Sequence, residues 1–387
     1  MEGLKGAANA KPHLSEEQIL LKIGMVSKFG APDGLCIRAN AVLGSLLEQG
    51  HEVHVFTQSK SVKFLPPENI HRFAAVQLNP HFSVDSIFAP RTIAEKCNRY
   101  GIEVLDVQMN SGTTEFLLPL FKGSLPPLVV TYHLAYSDAE SFIRTLFNIA
   151  EKASLYASRR YNAIILVHPF QKKVFLRNDV PKEKLNVIVN GVDTNLFSPR
   201  DHKKDNDIID FIYVGRLSYD KGVHILIQAF RAYHKKDPRS RLTLIGEGML
   251  KSLLNDQDSG SIRWLGSIDH SLVPRYLQEA DAFVVPMSIG PLTASMSVLE
   301  AMSCSLPLIT TNAADADRIL SPSEGILVKP ESVPAVVDAM HLLAKDEKMR
   351  TSMGRQCRER ILREYSWKKQ IGLIEDVYRR VIEQSRS

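Results

Sequence analysis

The sequence predicts an α/β protein built of two doubly wound domains that meet at a ligand cleft. Short apolar runs alternate with amphipathic helical stretches, which is the pattern of parallel sheets covered by helices. The alternation restarts once, about halfway along the chain. A polar stretch, SPRDHKKDN, lies between the two series, so the seam is placed at Asn195 to Asn206. In such sheets ligands bind beyond the carboxyl ends of the strands, where strand order reverses, and the cleft between the two domains is the expected site.

The first series opens with the strand Lys22–Val26 and a Gly/Pro loop, Phe29 to Gly34. A helix follows from Ala39 to Gln49, with Ala41, Leu43, Leu46 and Leu47 as its main apolar positions and Gly50 as its stop. Val53–Phe56 is the next strand, completing a βαβ start. Val104–Val107, Leu128–Thr131 and Ala163–Val167 continue the series. The second series begins at Phe211–Val214, with a helix from about Val223 to Tyr233 and a strand at Leu242–Ile245. Ala282–Val285 and Leu308–Thr310 are further strands, and Glu347 to Ser387 reads as helices rich in Arg, Lys and Glu. No short repeat is present.

Composition narrows the function class. The chain has 387 residues, 44% hydrophobic and 24% charged, which is the globular range. A net charge of +5 permits an anionic ligand or a membrane surface without calling for nucleic acid. Cys36, Cys97, Cys304 and Cys357 are far apart and form no CxxC pair, as expected of reduced thiols in a cytoplasmic protein. No apolar run approaches the roughly 18 residues of a spanning helix. The start, MEGLKGAANAKPHLSEEQ, lacks the apolar core of a signal peptide and reads as a loose extension.

Five segments carry candidate chemistry. Tyr213 to Gly222, YVGRLSYDKG, joins a strand to a helix, where free backbone N–H groups and the positive end of the helix dipole suit a diphosphate. Arg216 and Lys221 add two cations there; the alternative is a solvated basic turn. Gly290 to Ser297 leads small residues into a helix carrying Glu300, whose carboxylate could accept from a ribose diol or simply face solvent. VIVNGVD, Val187 to Asp193, contains an Asn-Gly turn that ends a strand near the seam. His133 and His168 each follow an apolar strand, as cleft residues or as structural ones. The loop Gly30 to Gly34 has neither GxGxxG nor GxxxxGK[ST], which speaks against a dehydrogenase or a P-loop ATPase.

Taken in order, these segments resemble the retaining glycosyltransferases of family 4, which have the GT-B fold of two Rossmann-like domains facing across a cleft. The resemblance runs from about Lys22 to Glu383 and rests on APDG, GHEVHVFT, VVTYH, VIVNGVDTNLFSP, YVGRLSYDKGV, LIGEG, LGSI, VLEAMSCSLPLITT, GILVKPES and EYSW. It implies an extension over 1–18, an acceptor domain over 19–198 and a nucleotide-sugar donor domain over 199–369. A last helix of about 370–387, from Gln370 on, would pack back on the first domain.

The resemblance further implies that Arg216 and Lys221, with Gly215, hold the donor diphosphate. The backbone of Ser295, Met296 and Ser297 receives phosphate or sugar oxygens, Glu300 binds the ribose hydroxyls, Gly34 approaches the diphosphate, and His133 approaches the donor sugar. It implies transfer of a hexose from a nucleoside-diphosphate sugar to a lipid, glycan or small-molecule hydroxyl, with no metal and no cofactor beyond the donor. The protein is expected in the cytoplasm with room for peripheral membrane contact, and Ser141 to Tyr161 mixes apolar and basic residues in a way that suits anionic lipid or an ordinary domain helix. Three positions depart from the family. Leu292 stands where Glu is usual, eight residues before Glu300, which implies an unusual donor, a neighbour such as Ser288 or Thr293 substituting, or loss of activity; Asp317 replaces Glu and Ser305 replaces Gly. A GT-B binding protein without chemistry, an epimerase and a phosphorylase are the alternative readings.

Overall fold

The computed structural model describes residues 19–29, 34–59, 62, 64–79, 82–109, 112–133, 152–200, 207–254, 258, 260–288, 295–312 and 320–387. The extension 1–18, most of the Gly30 to Gly34 loop, residues 141–151 of the basic-apolar segment, 201–206 of the seam, Leu292, Thr293 and Asp317 lie outside them.

Among the described residues the first half holds β1 (Lys22–Val26), β2 (Glu52–Thr57), β3 (Ile70–Arg72), β4 (Ala75–Asn79), β5 (Phe82–Asp85), β6 (Val104–Met109), β7 (Leu128–Tyr132), β8 (Ala163–Leu166) and β9 (Leu185–Val187). Seven of these form a parallel sheet in the order β3-β2-β1-β6-β7-β8-β9, and β4 and β5 pair as an antiparallel hairpin. The second half holds β10 (Ile209–Val214), β11 (Ser240–Ile245), β12 (Ile262–Trp264), β13 (Ala282–Val285), β14 (Leu308–Thr311) and β15 (Gly325–Val328), parallel in the order β12-β11-β10-β13-β14-β15. Strand order reverses between β1 and β6 in one sheet and between β10 and β13 in the other, so both are doubly wound. The central strands are buried along their length and are mostly apolar, with Asp106, Gln108 and Thr131 as buried polar exceptions.

Helices set the two switch points. α1 (Gly34–Glu48) follows β1 and starts five residues before Ala39, directly on leaving the loop. α2 (Val223–His234) follows β10, and α3 (Met296–Ser303) follows β13. α4 (Trp367–Arg386) ends the chain. Its Trp367, Ile371, Ile374, Val377, Tyr378, Val381 and Ile382 belong to the apolar core of the first half, together with Ile23, Val53 and Val104. The return begins at Trp367 and not at about Gln370, because Ser366 caps the helix, accepting from Lys369 N, and the indole is already in the core. His51 fastens α4 to the sheet: Leu21 N donates to its Nδ1 at 3.0 Å, and its Nε2 donates to Glu375 Oε1 at 3.1 Å.

The chain crosses between halves twice, side by side. Val192 N donates to Tyr365 O at 2.9 Å and Trp367 N to Val192 O at 3.2 Å. Gly191 makes this approach feasible, since a Cβ there would stand 2.7 Å from the Trp367 ring. Arg358 clamps the same region, donating to Phe197 O, Ser303 O and Thr194 O. Ser305, at the turn after α3, holds φ at +61°, the left-handed backbone that glycine adopts most readily. Among the described residues no helix is long and apolar enough to cross a membrane.

Candidate functional site

The loop after β10 is held rigidly from beneath. Gly215 N donates to Ile245 O at 2.9 Å and Leu217 N to Glu247 O at 2.8 Å, tying it to the exit of β11. The buried Tyr213 hydroxyl donates to Arg216 O at 2.7 Å. Asp220 organises the cations: Ser218 Oγ donates to it, Arg216 Nη2 lies 3.3 Å from Oδ2, and its own carbonyl accepts from Ser288 N at 3.0 Å. Gly222 caps α2 with φ at +68°, and a Cβ there would run into the Pro286 carbonyl. The first turn of α2 carries no acid and no side-chain cap, so its positive end and the adjacent Arg216 and Lys221 share one exit of the sheet. Arg216 is half exposed and Lys221 partly buried.

A second helix start lies at α3. Ser295 is its N-cap in extended conformation with no side-chain cap, and its hydroxyl meets that of Ser297 at 3.0 Å. Met296 packs against the core of the first half, so this helix end stands at the junction of the two domains. Glu300, one turn further, is 3% exposed, and His270 Nε2 donates to its Oε1 at 2.8 Å. That bond raises the His270 pKa, favouring the protonated imidazole. Nothing in sequence pairs His270 with Glu300, which are 30 residues apart.

Ser288, a candidate to stand in for the carboxylate absent at Leu292, donates to Glu331 Oε1, and His224 Nε2 lies 3.2 Å from Oε2. These bonds, Ser288 first, hold the Glu331 carboxyl below its usual range. Glu331 was not legible as a site residue; its φ of +56° beside Pro330 is visible only in three dimensions.

The first half contributes residues at the ends of β7 and β8. His133 Nε2 donates to Gln108 Oε1 at 2.8 Å, which fixes the tautomer. Gln108 Nε2 in turn donates to Asp106 Oδ2 at 2.7 Å, and Tyr378 of α4 donates to the same oxygen at 2.9 Å. Burial pulls His133 down to about 3, assisted by the charges of Arg38 and His168. Burial pulls His168 down to about 4, with a contribution from Lys221, which places the two halves within electrostatic reach of each other. Gly34 is the first residue of α1, at the matching switch point of the first sheet.

The low values have a consequence for stability. Both imidazoles bind a proton less readily folded than unfolded, so the stability they confer is full above about 6.5 and drains away as pH falls toward 4 and then 3. The thermal midpoint is therefore expected to fall from near pH 6.5 downward, and His133→Gln is expected to make the fall shallower. A flat profile down to pH 5 would contradict the weakened proton affinity of these rings.

Comparison with known proteins agrees with this geometry. The family described as Glycosyl transferases group 1 matches residues 195–360, and Glycosyltransferase Family 4 matches residues 37–196. Glycogen synthase of Mycobacterium tuberculosis is 28% identical over 190 residues, 48% of this chain and 45% of that protein, so the chain spans under half of that relative's length. An uncharacterised glycosyltransferase of Methanocaldococcus jannaschii is 24% identical over 385 residues, covering 90% of this chain and 95% of that one. The crystal structure of HepE from Anabaena, in complex with UDP and glucose, superposes with a TM-score of 0.70 at 15% identity, covering 92% of this chain and 99% of that chain. With the two family matches together running from residue 37 to 360 over two doubly wound sheets, the chain belongs to the group 1, family 4 glycosyltransferases of the GT-B fold.

Proposed function

We propose that the protein transfers a hexose from a nucleoside-diphosphate sugar to an acceptor hydroxyl with retention of configuration. The observation that carries this reading is the uncapped start of α2, with Arg216 and Lys221 beside it, within reach of His168 from the other half. As the sugar–phosphate bond breaks toward an oxocarbenium-like state, negative charge grows on the leaving diphosphate. Cations and helix ends already fixed there stabilise that charge without reorganising. The start of α3 supplies further N–H groups, Glu300 with His270 accepts from the ribose, and neutral His133 stands toward the sugar. The acceptor hydroxyl attacks on the face the diphosphate leaves, and its proton passes to a diphosphate oxygen. UDP and glucose bound to HepE support a nucleoside-diphosphate hexose as donor.

Thermal unfolding with UDP, GDP and ADP, each free and carrying a hexose, tests this reading. One nucleotide at about 100 times its dissociation constant should add roughly 2.7 kcal/mol, and Glu300→Ala should abolish the shift. Absence of a shift with every nucleotide would remove the donor-site assignment. Leu292 favours a second reading, a GT-B protein that binds the nucleotide sugar without transferring it; binding with neither transfer nor hydrolysis would establish that one.

A further inference from the structure

One buried cation stands apart from the residues proposed to hold the donor. Arg38 lies in the second turn of α1 and is 1% exposed. Its Nη1 donates to Asn190 Oδ1 at 2.9 Å and to Val189 O at 3.4 Å. Among the described residues its Nε and Nη2 are buried and meet no hydrogen-bond acceptor. Those two N–H groups form one edge of the guanidinium, the edge that grips two oxygens of a carboxylate or phosphate in parallel.

Leaving such an edge empty in a protein interior is costly, because a buried charge needs its hydrogen bonds completed. Asp106, whose charge reaches Arg38, does not complete them. Its Oδ2 is taken by Tyr378 and Gln108, and Thr131 Oγ1 lies 3.5 Å from Oδ1. The Trp367 ring lies 5.7 Å away. Burial draws Arg38 down to about 10, so the guanidinium stays charged at neutral pH, while His133 beside it is neutral.

Position ties this edge to the acceptor side. α1 leaves the switch point of the first sheet, and Arg38 is close enough to His133 at the carboxyl end of β7 to depress its pKa. Val189, Asn190 and Trp367, which surround the guanidinium, belong to the two segments that cross between the halves, so the guanidinium sits where the halves join.

We propose that the Nε/Nη2 edge of Arg38 receives an oxyanion carried by the acceptor, a carboxylate or a phosphate, so that the enzyme selects acidic acceptors. The acceptor role rests on the transferase reading above; the anion site itself does not. The test titrates inorganic phosphate and, separately, succinate into the full chain, with and without saturating UDP. It follows thermal stability and the Arg Nε–H resonances by NMR.

A saturable response to either anion that persists with UDP bound is expected. It should weaken about tenfold or more in Arg38→Lys, which keeps the charge and loses the fork, and vanish in Arg38→Met. Arg216→Ala should retain it. A response to phosphate alone assigns a phosphorylated acceptor, and one to succinate alone a carboxylated one. No response to either anion in the wild-type chain, or an equal response in Arg38→Lys, overturns the proposal. Should Arg38→Met fail to fold, the wild-type resonances and Arg38→Lys still decide. An anion response without any nucleotide shift would sink the donor assignment and leave the Arg38 site standing.

Discussion

Arg216→Ala and Lys221→Ala are each expected to slow sugar transfer by about 10²- to 10³-fold, the usual loss when one preorganised group facing developing charge is removed. Folding should survive both changes. The Arg216 side chain is 53% exposed, and its pair with Asp220 at 3.3 Å is of the surface kind that contributes little to stability. The rigidity of the loop comes instead from backbone bonds to the β11 exit and from Tyr213, which neither substitution touches. The loss should fall on kcat more than on KM, because the charge these groups meet is larger in the transition state than in the bound donor. Lys221→Arg should not restore full activity, since a broad planar fork cannot reproduce a compact ammonium. Turnover unchanged at saturating donor, in a variant with a normal thermal midpoint, would take the diphosphate away from this loop.

The central strands of both sheets and the loop after β10 were legible because their physics is local. A strand buried on both faces is a mostly apolar run, and a strand-loop-helix unit with Gly215, Arg216, Lys221 and Gly222 reads locally as a candidate anion cradle or a basic turn. Other features were not local. β12 is three residues long with Arg263 exposed at its centre, and the β4–β5 hairpin leaves Val76 and Val84 exposed, so neither carries the signature of a buried strand. The His270–Glu300 pair joins a helical turn to α3 across 30 residues, and Ser288–Glu331 joins two loops across 43. Arg38 is the sharpest case. Periodicity places it on a helix, but only the packing of Asn190 and Trp367 around it, more than 150 residues away, turns a surface-type residue into a buried cation.

Deleting residues 367–387 is expected to unfold the first half of the molecule and spare the second. Ile371, Ile374, Val377, Val381 and Ile382 are all buried in the core of the first half. At about 1.5–3 kcal/mol for each aliphatic side chain, their loss is on the order of 10 kcal/mol. That is an upper bound, because unfolded chains already bury part of this surface. It still matches the roughly 5–15 kcal/mol that holds a typical domain together. The deletion also strips Asp106 of its Tyr378 donor and His51 of Glu375, leaving polar groups unpaired inside the sheet's helical layer. The core of the second half takes its last members from Ile361 and Tyr365 and contains no residue of α4, so it loses no apolar core packing and only peripheral bonds such as Trp367 N to Val192 O. Hydrogen exchange on the truncated chain should therefore show amides of β1, β6 and β7 exchanging freely while those of β10, β11 and β13 stay protected. The nucleotide shift, if the donor is held by the β10 loop and α3, should persist in the same sample. Protection retained in β1 and β6 would mean that α4 merely rests on a sheet stable without it, and the first half would then be an independent folding unit.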